Sequence, residues 1–136
     1  MPDNLFNEDT DLAGATTVMI VPMGKPRMTQ RDKWAKRPAV MRYRAFKDEL
    51  RLQINGKMPD DIGVLSWIAY MPMPKSWSNK KKAEMQGKPH RQKPDRDNID
   101  KGILDALFSE DKAIYGGLIY KYWDDGNGAR LELSWR

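Results

Sequence analysis

Residues 94–111 hold the densest group of carboxylates in the chain: Asp95, Asp97, Asp100, Asp105, Glu110 and Asp111, with Lys101 among them. Asp95 and Asp97 are two apart behind Pro94, so in an extended segment both carboxylates point to one side. Asp97 then stands where a helix N-cap belongs, and Lys101 lies one turn further along the same face. Carboxylates are hard oxygen ligands that suit Mg²⁺ or Mn²⁺, and a lysine beside them can hold a phosphate oxygen. Such a cluster is suited to metal-assisted phosphoryl chemistry, in which the ion lowers the pKa of an attacking water and neutralises charge on phosphorus. The structural alternative is that Asp97 only caps a helix and pairs with Lys101 at i,i+4, while Asp95, Asp100 and Asp105 are solvated. Spacing alone leaves both readings open.

A single domain must position these residues, since 136 residues are too few for two ordinary ones. The β-branched run at 16–22, closed by Pro22, predicts a first strand, and 24–36 an exposed basic loop. Val40, Tyr43, Ala45, Phe46, Leu50 and Ile54 recur at three- and four-residue steps, so 39–53 reads as an amphipathic helix stopped by Asn55-Gly56. Residues 62–71 form an apolar run closed by Pro72 and Pro74, which predicts a central strand. A short basic helix follows at 79–85, capped by Ser76 or Ser78, and then a basic loop over 87–94. Ile99, Ile103, Leu104 and Leu107 share one side of a helix over 98–108. Strands at 113–123 and 129–135 end the chain, with Asp125-Gly126-Asn127-Gly128 read as a hairpin turn between them. The expected fold class is α/β of an α+β-like kind, a small mixed sheet of about four strands with two to three helices.

Composition removes several functions. There is no cysteine, hence no disulfide framework, thiolate nucleophile or cysteine-based zinc site, and one histidine cannot build a His-rich metal centre. No apolar run approaches the roughly 20 residues a membrane helix needs, and the acidic start is unlike a signal peptide, so a cytoplasmic protein with no membrane partner is expected. No P-loop, GxGxxG or Ser/His/Asp pattern is present.

The net charge of +5 conceals segregation, because residues 25–51 carry ten Lys/Arg against three acids and residues 75–93 carry seven against one. Two basic segments flanking an acidic one suit a polyanion held around a site where carboxylates collect, although charge runs are more often solvated faces. Candidate DNA-backbone contacts are Lys25, Arg27, Arg31, Lys33, Lys36 and Arg37 in the first segment, and Lys80, Lys81, Lys82, Lys88, Arg91 and Lys93 in the second. Trp34 or Trp77 can stack on unpaired bases, but half-buried packing is the favoured reading for both. His90 beside the acids can be a general base, yet a surface or phosphate-contacting histidine is favoured.

Asp95, Asp97, Asn98 and Lys101, then Asp105-Ala106-Leu107, then an acidic pair ending in Asp111 before an apolar strand, together resemble the signature of the RusA family of Holliday junction resolvases, phage- and prophage-associated endonucleases of bacteria. The resemblance covers about residues 16–135, including the first strand with Pro22 and the closing Gly128-Ala129-Arg130-Leu131-Glu132-Leu133 strand. It implies a small mixed fold, a homodimer, and Mg²⁺-dependent symmetric nicking of four-way or branched DNA in a bacterial host cell. It also implies catalytic roles for Asp95, Asp97, Asp111 and Lys101, with the three aspartates as metal ligands. Two features depart from the pattern. Residues 1–15 are an acidic extension ahead of a RusA-like domain over 16–136, and Glu110 stands where an aspartate is frequent, which leaves Glu110 or Asp111 open as the ligand.

Two functions therefore compete: a junction-resolving endonuclease, and a DNA-binding accessory protein whose acids only cap a helix. The carboxylates with Lys101 separate them, because a binder gains nothing from acids massed beside its phosphate-binding face. A helix over 98–108 is about 16 Å long at 1.5 Å per residue, so Asp97 and Asp111 start from opposite ends of it. Either the chain doubles back after Phe108, or Asp111 joins Asp95 and Asp97 of a second subunit.

Overall fold

The run that stays apolar without alternation takes the most enclosed place in the sheet. In the computed structural model, which describes residues 13–27, 37–110 and 112–136, the elements are β1 (Gly14–Val18), α1 (Pro38–Ile54), β2 (Leu65–Met71), α2 (Asn79–Met85), α3 (Arg96–Leu107), β3 (Ile119–Trp123) and β4 (Arg130–Trp135). The sheet order is β1-β4-β2-β3, so β2 has neighbours on both edges, as a central strand must. β4 pairs antiparallel with β1 and with β2, whereas β3 runs parallel to β2. Three helices and a four-stranded mixed sheet make the α+β fold expected.

One face of the sheet is the core. Alternate residues Leu65, Trp67, Ala69 and Met71 of β2, with Leu131, Leu133 and Trp135 of β4, pack against Tyr43, Phe46 and Leu50 of α1 and Ile99 and Ile103 of α3. Val40, Tyr43, Phe46, Leu50 and Ile54 form the buried stripe of α1 at the spacing read from the sequence, whereas Ala45, also placed in that stripe, is exposed. On the other face Ser66, Ile68, Tyr120, Glu132 and Ser134 line a shallow groove. α2 buries no residue, which suits a helix of lysines held by one cap, Ser78 Oγ accepting from Lys81 N at 3.2 Å.

Two expectations about strands are corrected. β1 begins at Gly14 and ends at Val18 rather than spanning 16–22, because Val18 is opposite Leu131 near the start of β4 and the next residues have no partner strand. The Asp125-Gly126-Asn127-Gly128 segment is not a hairpin turn between paired strands: β2 lies between β3 and β4, so this loop crosses the end of β2. Polar side chains shape it. Asp124 Oδ1 accepts from Gly126 N and Gly128 N at 3.0 and 2.9 Å, and Arg130 returns from β4 to grip both oxygens of Asp125 at 2.9 and 3.0 Å. The Arg130 guanidinium is buried, lies 3.8 Å over the Tyr70 ring and also donates to Glu132.

Parallel pairing of β3 needs the chain to arrive close alongside β2. Gly117 allows it: it adopts φ +153, and a Cβ there would lie 1.8 Å from the Leu65 carbonyl oxygen. Leu65 N then donates to Gly116 O and Trp67 N to Leu118 O, which sets the register.

Candidate active site

α3 starts two residues earlier than its apolar periodicity predicts, and this changes the roles of its first acids. Asp95, in extended conformation at φ −66 and ψ 150, is the N-cap residue, and its carbonyl receives the first helical bond from Ile99 N at 3.1 Å. Asp97 is inside the first turn rather than at the cap. The two are therefore brought to the same helix end by its start, not by strand alternation. That end carries the positive pole of the helix, where carboxylates are favoured.

Neither carboxylate is used by the fold. Asp95 makes no side-chain capping bond, and among the described residues Asp95, Asp97 and Lys101 form no hydrogen bond or ion pair through their side chains. The i,i+4 pair between Asp97 and Lys101 is not formed. All three side chains are exposed.

The other acids of α3 are committed. Asp100 accepts from Trp67 Nε1 at 2.8 Å and satisfies the only polar group of a side chain that is 1 % exposed. Asp105 Oδ2 accepts from Tyr43 Oη at 2.6 Å and from Lys47 Nζ at 3.2 Å, with Lys25 Nζ at 3.8 Å. Burial opposes the charge on Asp105, but those donors and the charges of Lys47 and Lys25 together hold its carboxyl below the ordinary range. Desolvation, with the Asp105 hydrogen bond, pushes the Tyr43 phenol well above its own. The expectation that Asp100 and Asp105 are solvated gives way to two structural acceptors.

Lys25 reaches the site because its strand-exit loop docks on α3. Its backbone N donates to Asn98 O at 3.1 Å, and the loop lies against Gly102 of the helix. Lys25 thereby borders two clefts. One is lined by Lys93, Pro94, Asp95 and Asn98, the other by Lys101, Asp105, Ser109, Glu110 and Lys112. Ser109 and Glu110 thus share a cleft with Lys101. Glu110 pairs with Lys112 at 3.2 Å. Asp111 lies outside the described residues.

Of the basic positions, Lys80, Lys81, Lys88, Arg91, Lys93 and Arg27 are exposed, Lys82 is half-buried, and Arg37 donates to the Arg27 carbonyl at 3.1 Å. Arg31, Lys33, Lys36 and Trp34 lie outside the described residues. Lys81 Nζ sits 4.4 Å over the Trp77 ring, and Trp77 packs on Trp123 at 4.8 Å, which makes Trp77 a packing residue.

His90 is corrected from surface to interior. The 87–90 segment runs antiparallel beside β3, with Trp123 N donating to Lys88 O and His90 N to Lys121 O, so the imidazole lies on Trp123 with ring centres 4.4 Å apart. It is 6 % exposed, its Nδ1 has no partner, and burial with the charge of Lys121 pushes its pKa down to about 4. Such a group is a neutral imidazole at neutral pH and is largely shielded from solvent. Sequence reasoning also missed Lys121 itself. The signal was present: in Ile119-Tyr120-Lys121-Tyr122-Trp123 the lysine takes an inward position between Ile119 and Trp123. Its Nζ donates to Gln92 O and Pro94 O, each at 2.7 Å.

The family model described as Endodeoxyribonuclease RusA matches residues 18–134, most of the chain. The chain belongs to the RusA family. No curated protein matches it. Family membership decides between the two functions, since the RusA family consists of endodeoxyribonucleases that resolve Holliday junctions and act on branched DNA. An accessory role without cleavage is set aside. Resolvases of this family generally need a divalent metal. The donor set fits one: two unengaged carboxylates supply hard oxygens at the head of α3. Among the described residues, Glu110 included, no three Asp, Glu, His or Cys side chains converge. No described helix is long and apolar enough to cross a membrane.

Proposed function

We propose that this chain resolves four-way DNA junctions by Mg²⁺-dependent paired nicking, with Asp95, Asp97 and Asp111 as metal ligands and Lys101 on the scissile phosphate. Mn²⁺ is the natural substitute ion. The observation that carries this reading is the pair of carboxylates at the head of α3 that form no hydrogen bond or ion pair among the described residues, in a fold that engages the other two acids of that helix.

In this assignment Asp95 and Asp97 present anionic oxygens at the positive end of the helix, and Lys101, one turn on, neutralises a phosphate oxygen. Lys25 borders the same ground from the opposite side. A bound divalent ion supplies charge neutralisation and activation of water. The water oxygen forms one new bond to phosphorus and one P–O ester bond breaks. Lys80, Lys81, Lys82, Lys88, Arg91, Lys93, Lys25, Arg27, Arg31, Lys33, Lys36 and Arg37 hold backbone phosphates. Paired cuts need two such sites related by symmetry, hence a homodimer. That Ser109 and Glu110 line the Lys101 cleft supports a site completed by Asp111 of the same chain.

The test is strand nicking of a synthetic four-way junction, with and without Mg²⁺, beside a linear duplex of the same sequence. Symmetric nicks in the junction only, and only with the ion, are expected. Binding without cuts at any Mg²⁺ concentration overturns the reading.

A further inference from the structure

Among the described residues, Lys121 is the one cation of the inner sheet face. It holds the segment that delivers Asp95 at three points: its carbonyl accepts from His90 N at 3.0 Å, and its Nζ spans Gln92 O and Pro94 O at 2.7 Å each. Those two carbonyls lie on either side of Lys93, and the second belongs to the residue before Asp95. The ammonium is half-buried between β3 and the loop, and Asp95 is the anion that acts on it. Its two short bonds are charge-assisted and go to backbone rather than to a movable side chain, so they fix the path of the main chain at the helix entry.

We infer that Lys121 is a positioning residue for the metal site: by clamping Gln92 O and Pro94 O it sets where the Asp95 carboxylate stands relative to Asp97. The inference rests on the metal-site assignment for Asp95 and Asp97. Divalent ions demand ligands placed to a fraction of an ångström, and partners that orient ligands are worth about 10- to 100-fold in metal affinity or activity. Lys121 touches neither of the oxygens it aims, so its loss should raise the ion concentration needed more than it lowers the rate at saturation.

The experiment compares the full chain with Lys121→Met, Lys121→Arg and Lys121→Gln. Mn²⁺ binding is read by electron paramagnetic resonance without DNA, and the Mg²⁺ dependence of nicking is read on a four-way junction. Lys121→Met is expected to weaken Mn²⁺ binding about 10-fold or more and to shift half-maximal nicking to higher Mg²⁺, with junction affinity in EDTA unchanged. Lys121→Arg, which can still span two carbonyls, should restore most of both. If Lys121→Met does not fold, Lys121→Gln, with a donor for one carbonyl, is judged by the same two readouts and should lie between. Unaltered Mn²⁺ binding in a folded Met or Gln variant overturns the positioning role alone. Failure of the parent chain to bind Mn²⁺, or binding that survives Asp97→Asn, overturns the metal-site assignment and the inference with it.

Discussion

Four aspartates lie on α3 or at its head, and the fold uses two of them. Asp100 and Asp105, along the body of the helix, accept from Trp67, Tyr43 and Lys47 and fasten α3 to β2 and α1. Asp95 and Asp97, one turn away, accept from nothing among the described residues. Residue type is the same in both pairs. What differs is whether the oxygens already have donors, and an oxygen with donors is a poor ligand because binding an ion would strip a buried Trp or Tyr of its partner. A fold that leaves two carboxylates uncommitted at the positive end of a helix has an anionic site to spare.

The largest expected effect follows at the uncommitted pair. Asp97→Asn is nearly isosteric and breaks no hydrogen bond, so Tm and junction binding should hold. The amide cannot replace an anionic ligand, and nicking at saturating Mg²⁺ should fall by more than about 100-fold, beyond what outer-shell changes cost. Binding should tighten slightly, since one charge facing phosphates is gone. A variant that nicks at the parent rate breaks the comparison.

Asp100→Ala should do the opposite. It strands the Nε1–H of Trp67 inside the core, a loss of about 1–3 kcal/mol, which corresponds to a drop in Tm of roughly 5–10 °C for a domain of this size. Nicking measured well below Tm should stay close to that of the parent chain. Thermal unfolding and a junction assay on the two variants together form a double dissociation, and equal loss of activity in both would erase the distinction drawn from geometry.

The sequence carried the parts of this picture that depend on periodicity and chemistry type. The buried stripe of α1, the central place of β2 and the acid-rich head of α3 were all legible, because apolar spacing and carboxylate density are local properties. Parallel pairing of β3 was not. Asp125-Gly126-Asn127-Gly128 has hairpin composition, and only the long-range need of a doubly apolar β2 for two neighbours, together with the Arg130–Asp125 grip, turns it into a crossing loop. His90 was misread for the same reason, since its burial comes from the 87–90 segment lying along β3. The two-residue shift of the α3 start moved the cap from Asp97 to Asp95, a boundary that apolar pattern cannot fix. Which acids are spare was invisible, because their donors come from residues more than thirty positions away.

A third test uses the acid the fold engages most. The Arg130 hydrogen bonds hold Asp125 down to about 2, against an ordinary value of 3.8. A depressed folded-state pKa means that the unfolded chain takes up the proton first as pH falls. The contribution to stability is then full above 3.8 and is lost as pH drops from there through about 2. Asp105, held low by Tyr43, Lys47 and Lys25, adds in the same direction. Urea unfolding at a series of acidic pH values should show a stability limb that is shallower in Asp125→Asn than in the parent. An unchanged limb would mean that the Arg130 grip is absent in solution.

The smallest effect asks whether spare and committed also divides the cations. On α2 Lys80 is exposed and has no partner among the described residues, whereas Lys81 is held over the Trp77 ring at 4.4 Å. A lysine free to reach a phosphate releases counterions, and each such contact adds about 0.9 to the slope of log affinity against log salt. A lysine resting on an aromatic face gives up that packing to reach DNA and contributes less. Lys80→Ala should therefore flatten the salt slope of junction binding by up to about one unit, Lys81→Ala by a smaller amount with a modest loss of Tm. The triple replacement of Lys80, Lys81 and Lys82 should sum these changes. Fluorescence anisotropy of a labelled junction across a salt series reads them directly. If Lys80→Ala leaves the slope unchanged, this face of α2 is only solvated, and the DNA contacts must come from the 87–93 loop and the first basic segment.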